Sequence, residues 1–548
     1  MQINRLVWLA LAALTAIGFL YFPGHTYLQS DTQIYVPILE RLNDPSLFQE
    51  EIIAQRPHVS FTMYDEAALW LRKLTGWGFR DVLALQQIVF RFAALTGVYL
   101  MAASLGLPAA GAILVAAAFG LGATIMGPAV LTFEYEPVPR GNAIGLTMLA
   151  IGLVAHGKHL WAGCAAALAF LYHVPAVYPY WASYFLLALI PRKPDEMRGH
   201  IRGLLPMAGG VVLLLVLSQL QIGQGEQQKF FATIDPEHEA MMRERAAYNW
   251  ISLWSPRLFV HYGLLYTVCL AALWRLRTRM SADFRILALA CTSVGMISMP
   301  VSYFLLERTK WILVPQIQPM RALLYVTAMS VILSACAAVL SAIERRWWQT
   351  PLWLAVSFVP PAATASLQYL WERKFTEAPL AVIVAALLAT AALWASQRWK
   401  QASIVLVAAA MSLAFVIPAI SKVRNYPALH HAELDDLAKW ARTNTRPSAV
   451  FLFPDAAKDL RPGVFRAESL RTVYVDWKGG GQINFLRDFL TIWLPRWQTL
   501  MVPPFERENL DKYRPFGIDY IVVLRSNAVP GAKVAYENPK YIVYSLAQ

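Results

Sequence analysis

The chain has 548 residues, of which 57% are hydrophobic and 15% are charged. A soluble globular protein carries roughly 25% charged residues, so this composition excludes a wholly soluble protein. The formal net charge of +13 does not indicate nucleic-acid binding, because the basic residues cluster in short loops between apolar segments. All four cysteines lie in apolar segments, so neither a disulfide framework nor a cysteine-based zinc site is predicted.

Apolar segments recur along the chain, and crossing a bilayer as a helix takes about 20 mostly apolar residues. The first apolar segment ends at Phe22-Pro23, a poor cleavage signal, so we expect an uncleaved span rather than a signal peptide. The pattern predicts an all-α polytopic membrane protein with about thirteen transmembrane helices, near 6–22, 83–104, 107–131, 141–156, 159–177, 178–191, 203–222, 257–274, 285–306, 319–343, 351–370, 379–396 and 402–421.

The basic loops define an orientation. They lie at 192–202, 275–285, 345–346 and 398–400. A cytoplasmic N-terminus and alternating spans place all four loops inside, as the positive-inside rule requires. We therefore predict a multi-pass protein of the bacterial inner (cytoplasmic) membrane. The predicted extracytoplasmic segments are 23–82, 132–140, 223–256, 307–318, 371–378 and 422–548.

Two domains are predicted. Residues 1–421 form a transmembrane domain with large outer loops at 23–82 and 223–256, and residues 422–548 form a small periplasmic α/β domain. Outside the spans, apolar periodicity and capping signals predict helices at Asp31–Leu42, Glu66–Leu74, Asp235–Tyr248 and Glu433–Thr443. Short β-rich runs predict strands at Ala449–Phe453, Thr472–Val475, Tyr520–Leu524 and Tyr541–Tyr544.

An acidic residue, Asp31, opens the first of these helices some eight residues after the first span, with Tyr35 one turn further on. Carboxylates are expensive near hydrocarbon, so acidic residues at span ends tend to be functional. An Asp at this position can cap the helix, and it can also present its carboxylate to a metal ion or a sugar. Both interpretations stay open on the sequence alone.

A second acidic feature, Glu134-Tyr135-Glu136, follows the third predicted span. Alternate residues of extended backbone point the same way, so both carboxylates can face one ion. Mg²⁺ and Mn²⁺ prefer such oxygen ligands. A solvated acidic turn that pairs with Arg140 is the alternative.

Basic residues at the outer span ends form a third group, because the positive-inside rule disfavours them there. Arg140 and Arg321 offer guanidinium forks that match a lipid phosphate, and Arg308 and Lys310 lie in the same outer loop as Arg321. His173, near the outer end of the fifth span, can ligate a metal, bind phosphate or transfer protons. Snorkelling or internal ion pairs are the alternatives for the arginines, and a structural role is the alternative for His173.

The predicted outer domain contains one candidate binding loop. Asp476, Trp477 and Lys478 follow a predicted strand and precede three glycines. Trp stacks on sugars or peptides and Gly permits close approach, so this loop can bind a sugar or a peptide. An ordinary turn is the alternative. The glycines do not follow the pattern of a nucleotide-binding loop.

The layout of these features resembles the GT-C superfamily of integral-membrane glycosyltransferases. This superfamily includes oligosaccharyltransferase catalytic subunits, protein O-mannosyltransferases and aminoarabinose transferases. Asp31 matches the acid of the first outer loop, Glu134 and Glu136 match the acidic pair of the second, and residues 422–548 match a trailing soluble domain. The second-loop motif is ExE rather than DxD, and the WWD-type motif of oligosaccharyltransferases is not found.

The resemblance implies a glycosyltransferase that takes a sugar from a polyprenyl-phosphate donor to a glycan, lipid or protein acceptor at the outer membrane face. Asp31 would be the general base. Glu134 and Glu136, together with Asp31, would hold Mg²⁺ or Mn²⁺, which is the only cofactor implied. Two alternatives stay open: a cell-envelope polysaccharide polymerase or ligase, and a transporter or flippase of lipid-linked sugars.

Overall fold

The computed structural model describes residues 4–55, 62–128, 130–191, 193–221, 231–369, 377–484, 487–507 and 509–546. The chain divides into two compact units. The first, here called the membrane unit, comprises Met1–His25, Leu83–Gln219 and Tyr248–Tyr426. The second, here called the outer unit because its segments are predicted to be extracytoplasmic, comprises Thr26–Val82, Leu220–Ala247 and Pro427–Gln548.

Most described residues are helical, as predicted for a polytopic membrane protein. Within the part of the chain that the structure describes, seven helices are long and apolar enough to cross a membrane: Phe79–Ser104, Pro194–Leu217, Pro256–Leu276, Ala282–Arg308, Val314–Ile343, Pro379–Arg398 and Lys400–Ile420. Five apolar helices are shorter: Arg5–Leu20, Ala109–Gly120, Pro139–Ala155, His159–Tyr172 and Val174–Leu189. A further helix is Gln349–Tyr369. The count of thirteen spans stays a prediction. Residues 223–230 and 371–376 of the predicted outer segments, and Arg192 of a basic loop, lie outside the described residues.

The helix Leu323–Ile343 lies at the centre of the membrane unit. It is apolar all round and nearly every residue is buried, as expected of a helix surrounded by other helices. It packs against Pro256–Leu276, Ala282–Ser302 and Gln349–Tyr369. Its many Ala and Ser residues let these neighbours approach closely.

The predicted span near 107–131 is wrong in its second half. The helix ends at Gly120, and a two-stranded antiparallel hairpin follows, formed by β1 (Thr124–Ile125) and β2 (Val130–Leu131). Gly122 and Gly127 have φ values of +74° and +85°, a backbone conformation that a helix does not contain. The hairpin leads directly into Glu134.

The outer unit contains a five-stranded sheet. Its strands are β3 (Val450–Leu452), β4 (Thr472–Val473), β5 (Tyr520–Leu524), β6 (Val534–Glu537) and β7 (Tyr541–Ser545), in the order β4-β3-β5-β7-β6. The central strand β5 pairs in parallel with β3 and antiparallel with β7. Its apolar run is buried, as expected of a strand covered on both faces.

Two helices of the outer unit pack on this sheet: Ala432–Asn444 contacts β7 and Arg461–Ser469 contacts β4. The other helices of the unit are Thr32–Asn43, Ile52–Gln55, Tyr64–Thr75, Pro236–Arg245 and Arg487–Leu500. Thr32–Asn43 packs on Arg461–Ser469, where a Cβ at Gly463 would overlap the Gln33 side chain. Asp235 caps the helix Pro236–Arg245. Its side chain accepts a hydrogen bond from the His238 backbone N at 2.9 Å, as the Asp-Pro-Glu signature predicts.

Candidate functional site

Asp31 is held by a lysine of the predicted acceptor loop. Asp31 immediately precedes the helix Thr32–Asn43, but the Asp31 side chain makes no capping hydrogen bond to that helix. Instead, the Lys478 Nζ donates to Asp31 Oδ1 at 2.6 Å and to Ser30 Oγ at 3.2 Å. The exposed fractions of the Asp31 and Lys478 side chains are 25% and 15%, so the pair is partly screened from water. The ion pair holds the Asp31 carboxylate in one orientation.

Asp476 fixes the loop that carries Lys478. Arg466 Nη1 donates to Asp476 Oδ1 at 2.8 Å, and the Gly479 backbone N lies 3.3 Å from both carboxylate oxygens. The backbone oxygen of Asp476 accepts from Trp493 Nε1 at 3.0 Å. Asp476 and Arg466 are buried, and Glu51, also buried, lies 3.8 Å from Arg466 Nη1. Asp476 therefore shapes the loop from inside.

Trp477 lies in an aromatic and cationic cluster. The Arg245 guanidinium lies 3.8 Å from the Trp477 ring centroid, and Lys458 Nζ lies 4.5 Å from it. The Trp497 ring packs against the same indole at 5.1 Å. Cations against an indole face are stabilised by its quadrupole. Tyr35 is elsewhere in the outer unit, buried, with its ring 5.3 Å from that of Tyr64.

Glu134 is bound by Arg140 in the membrane unit. Arg140 Nε and Nη2 donate to the two carboxylate oxygens of Glu134 at 2.6 Å and 3.2 Å. The Leu131 backbone N donates to Glu134 Oε1 at 3.1 Å. Glu134 is buried, so this bidentate pair compensates a charge that water does not reach. The arginine at the outer span end thus neutralises the first acid of the ExE motif.

Glu136 and Glu134 line a cavity of about 20 Å³ with Arg91, Gln87 and Asn142. That volume is roughly what one water molecule or a small ion needs. It is too small for a sugar, so any direct contact of Glu136 through this cavity is with water or an ion.

Arg91 and Gln87 organise the backbone at this cavity, and the sequence analysis missed both. Arg91 Nη2 donates to the backbone oxygens of Glu134 at 2.5 Å and of Gly24 at 2.7 Å. Gln87 Nε2 donates to the same Glu134 oxygen at 2.9 Å, and Gln87 Oε1 lies 2.6 Å from His25 Nδ1. The signal was present, because an arginine in the middle of an apolar span is rare unless it has a partner.

His173 and Arg321 lie together in the membrane unit. His173 precedes the helix Val174–Leu189, and its Nδ1 accepts a hydrogen bond from the Ala176 backbone N at 3.1 Å. Its Nε2 lies 3.2 Å from Arg321 Nη1. Tyr325 donates to the Ala176 oxygen at 2.8 Å, which ties the helix start to the segment carrying Arg321.

The tautomer of His173 makes this pair a candidate anion site. A neutral imidazole has one acceptor nitrogen, and Nδ1 is used as the acceptor, so Nε2 carries the proton. With a donor on each side of the 3.2 Å contact, an anionic oxygen that accepts from both side chains would stabilise the pair. Arg308 ends a π-helical turn, Tyr303–Arg308, of the kind that is frequent at functional sites, and Lys310 follows it with a φ of +52°.

Comparison with known proteins shows the fold. No family model matches the chain, and no curated protein matches it. The structure of ArnT from Cupriavidus metallidurans bound to undecaprenyl phosphate matches at 11% identity with a TM-score of 0.50, covering 98% of this chain and 97% of that one. The chain therefore shares the fold of this ArnT structure, and the predicted resemblance in fold is confirmed.

Two further solved structures match less well. The mycobacterial arabinofuranosyltransferase AftD matches at 13% identity with a TM-score of 0.46, covering 100% of this chain and 40% of that one. The Archaeoglobus fulgidus oligosaccharyltransferase tethered to an acceptor peptide matches at 12% identity with a TM-score of 0.43, covering 99% and 74%.

Proposed function

We propose that the protein is a membrane glycosyltransferase that transfers a sugar from a polyprenyl-phosphate donor to an acceptor at the outer face of the bacterial cytoplasmic membrane. The fold supports this proposal, because ArnT, which shares it, was solved with undecaprenyl phosphate bound. The observation that carries the proposal is the Asp31–Lys478 ion pair. It positions a carboxylate that makes no capping hydrogen bond to its helix.

Asp31 acts as the general base. The acceptor hydroxyl gives its proton to the Asp31 carboxylate as its oxygen bonds to the anomeric carbon of the donor sugar. The bond from that carbon to the phosphate oxygen breaks, and polyprenyl phosphate leaves with the electron pair. A positioned carboxylate contributes roughly 100- to 10,000-fold to such a step. Lys478 keeps Asp31 oriented before the acceptor arrives.

Arg321 and His173 bind the donor phosphate. Their N–H groups lie side by side, and they stabilise the charge that develops on the leaving phosphate. Arg308 and Lys310 add positive charge to the same predicted outer loop, and Tyr35 is assigned to donor binding. Guanidinium groups match phosphate geometry better than ammonium groups do, so Arg321 is the principal ligand.

Glu136 is the acidic residue of the ExE motif best suited to a divalent ion. Glu134 already accepts two hydrogen bonds from Arg140, whereas Glu136 lines a cavity of about 20 Å³, which suits an ion or a water. Mg²⁺ or Mn²⁺ bound there would supply positive charge. At Glu134, the guanidinium group of Arg140 supplies the positive charge instead.

The acceptor, a glycan, a lipid or a protein, contacts the loop of Trp477 and Lys478, while Asp476 holds that loop from within. An indole flanked by Arg245 and Lys458 suits a polar acceptor, because its face stacks on sugar rings and the cations bind acidic groups. With the N-terminus cytoplasmic, the α/β region 422–548 is periplasmic and supplies this surface.

The test is transfer by the purified protein in lipid nanodiscs. Synthetic undecaprenyl phosphates carrying different sugars are incubated with a periplasmic extract as the acceptor source. We expect release of undecaprenyl phosphate and transfer of its sugar. Both should be lost in the Asp31→Asn variant and after heating. Movement of an intact labelled donor across a proteoliposome membrane, with no cleavage of any sugar in the panel, would overturn the proposal in favour of a flippase.

A further inference from the structure

Two histidines and an aspartate lie together in the membrane unit, apart from the residues discussed above. His159 is the first residue of the helix His159–Tyr172, His200 lies in the second turn of Pro194–Gln221, and Asp283 is the second residue of Ala282–Ser302. Three helices therefore begin at this cluster. The sequence analysis did not predict it, because the three residues are far apart in the chain and follow no ligand motif.

The two imidazole rings converge on one carboxylate oxygen of Asp283. The Nε2 atoms of His159 and His200 each lie 3.2 Å from Asp283 Oδ2. The two imidazole rings are nearly perpendicular, at 84°, with their centroids 4.8 Å apart. In a tetrahedral zinc site, bonds of about 2.0 Å put neighbouring ligand atoms roughly 3.3 Å apart. Both Nε2–Oδ2 distances, 3.2 Å, match that value.

The backbone is shaped to bring these groups together. A Cβ at Gly163 would overlap the Gly203 carbonyl oxygen, so the helices of His159 and His200 touch backbone to backbone one turn beyond the histidines. Gly203 in turn makes room for the Tyr184 hydroxyl. His159 and His200 are buried, with exposed fractions of 8% and 1%, so the histidines are not surface residues that meet by chance.

Tyr184 contacts the ring nitrogen of His159 that does not face the carboxylate. Its hydroxyl lies 3.1 Å from His159 Nδ1 and 3.4 Å from the His200 backbone oxygen. His159 Nε2 is the nitrogen beside Asp283. Tyr184 therefore occupies the place of the outer-shell partner that metal-binding histidines have on their other nitrogen.

His200 adds a second observation. Its Nδ1 is fully buried and makes no hydrogen bond among the described residues, while its Nε2 faces Asp283. With the proton on Nδ1, Nε2 of this buried imidazole has a lone pair available for a metal ion beside the carboxylate. Two imidazoles and one carboxylate suit a divalent transition-metal ion and do not suit Mg²⁺.

We propose that His159, His200 and Asp283 form a site for a divalent transition-metal ion, with Zn²⁺ as the best match, that ties together the starts of three helices. Water completes the coordination from the side of Asp283, the most exposed of the three ligands. Tyr184 orients His159 from the second shell of the metal. This site is independent of the proposed transfer reaction, so its test uses metal content and stability rather than activity.

The experiment compares the full-length protein with His200→Ala and with His156→Gln as the matched control. His156 Nε2 is hydrogen-bonded to the Leu100 oxygen and lies outside the cluster. Each protein is purified in detergent, dialysed against Zn²⁺ and freed of excess metal. We expect bound zinc and a chelator-sensitive Tm in the wild type and in the control. The His200→Ala protein should have neither.

A second measurement covers the case in which His200→Ala fails to fold. Tyr184→Phe keeps every ligand, and we expect it to weaken zinc binding about 10- to 100-fold, as loss of an outer-shell partner does. Wild-type protein loaded with Co²⁺ should show the visible absorption of four-coordinate cobalt. A wild-type protein that retains no zinc, shows no Co²⁺ spectrum and has the same Tm with and without chelator would overturn the proposal.

Discussion

Lys478 Nζ lies 2.6 Å from Asp31 Oδ1, although 447 residues separate the two in the chain. The lysine belongs to a loop that Asp476 and Arg466 hold from inside, so its position is fixed by buried contacts. Asp31 immediately precedes the helix Thr32–Asn43, and its side chain does not cap that helix. The pair thus joins the two features that the sequence singled out as base and acceptor loop.

Replacing Asp31 by Asn removes the base while keeping the shape of the side chain. We expect kcat for release of undecaprenyl phosphate to fall at least about 100-fold, with an unchanged Tm. Asp44→Asn is the matched control, because Asp44 is an exposed acid of the same outer unit whose carboxylate accepts from Ser46. Transfer retained by the Asp31 variant would remove Asp31 as the base.

Replacing Lys478 by Met should reduce transfer by releasing the side chain of Asp31. The Lys478 Nζ donates to Asp31 Oδ1 at 2.6 Å, so without it the carboxylate is no longer held in one orientation. We therefore expect kcat/KM to fall, but by less than in Asp31→Asn. Lys478→Arg retains a charged donor and should keep most of the activity. A Lys478→Met protein as active as the wild type would show that the ion pair does not position Asp31.

Glu134 and Glu136 should respond differently to substitution by Gln. Glu134→Gln breaks the buried pair with Arg140, so it should lower Tm, and loss of one partner of a buried pair costs about 3–5 kcal/mol. Glu136→Gln should reduce transfer mainly by removing a ligand oxygen from the cavity. Mg²⁺ or Mn²⁺ titrations after EDTA treatment measure any metal dependence of both variants. The assignment fails when the two variants lose stability and activity to the same extent.

The donor phosphate provides a test of Arg321 and His173 as a unit. A charge-assisted hydrogen bond contributes about 1.5–3 kcal/mol, so Arg321→Ala should weaken donor affinity roughly 10- to 100-fold. Because the two side chains are 3.2 Å apart, the double variant with His173→Ala should lose less than the sum of the single losses. Donor KM measured for the four proteins gives this coupling. Strictly additive losses would place the two residues at separate sites.

Several elements followed from the sequence because their local signals were strong. The helix predicted at Glu433–Thr443 forms as Ala432–Asn444, and strand β5 has the predicted bounds. Strand β6 was missed because its side chains are mostly exposed, it lies at the edge of the sheet and it contains an irregular pairing. It therefore lacks the buried apolar pattern from which strands are recognised.

The candidate site was only partly accessible to sequence reasoning, for a physical reason. Asp31 and the ExE motif stand out because carboxylates near apolar spans are costly. The partner that compensates each charge depends on the tertiary structure, and no local sequence pattern specifies it. The alternative in which the acidic turn pairs with Arg140 concerned neighbours in sequence. The structure contains that pair, although Glu134 is buried rather than solvated. The pairs Lys478–Asp31 and Arg466–Glu51 join distant segments and could not be predicted.

Glu51 provides a test of the buried charges of the outer unit. Its side chain is buried, accepts a hydrogen bond from the Val473 backbone N at 3.0 Å, and lies 3.8 Å from Arg466 Nη1. Burial raises the pKa of Glu51 above its ordinary value of 4.5, and the nearby Arg466 only partly opposes this. The folded protein therefore holds the Glu51 proton to a higher pH than the unfolded chain does.

The sign of the stability change follows from that difference in pKa. The contribution of Glu51 is complete below pH 4.5 and is lost as the pH rises through the raised pKa of the folded protein. Glu51→Gln removes this titration, so Tm should decline less between pH 4.5 and neutral pH than in the wild type. Glu50→Gln, at an exposed neighbouring position, is the matched control and should keep the wild-type slope. Equal slopes in both variants would show that Glu51 is ionised in the folded protein throughout this range.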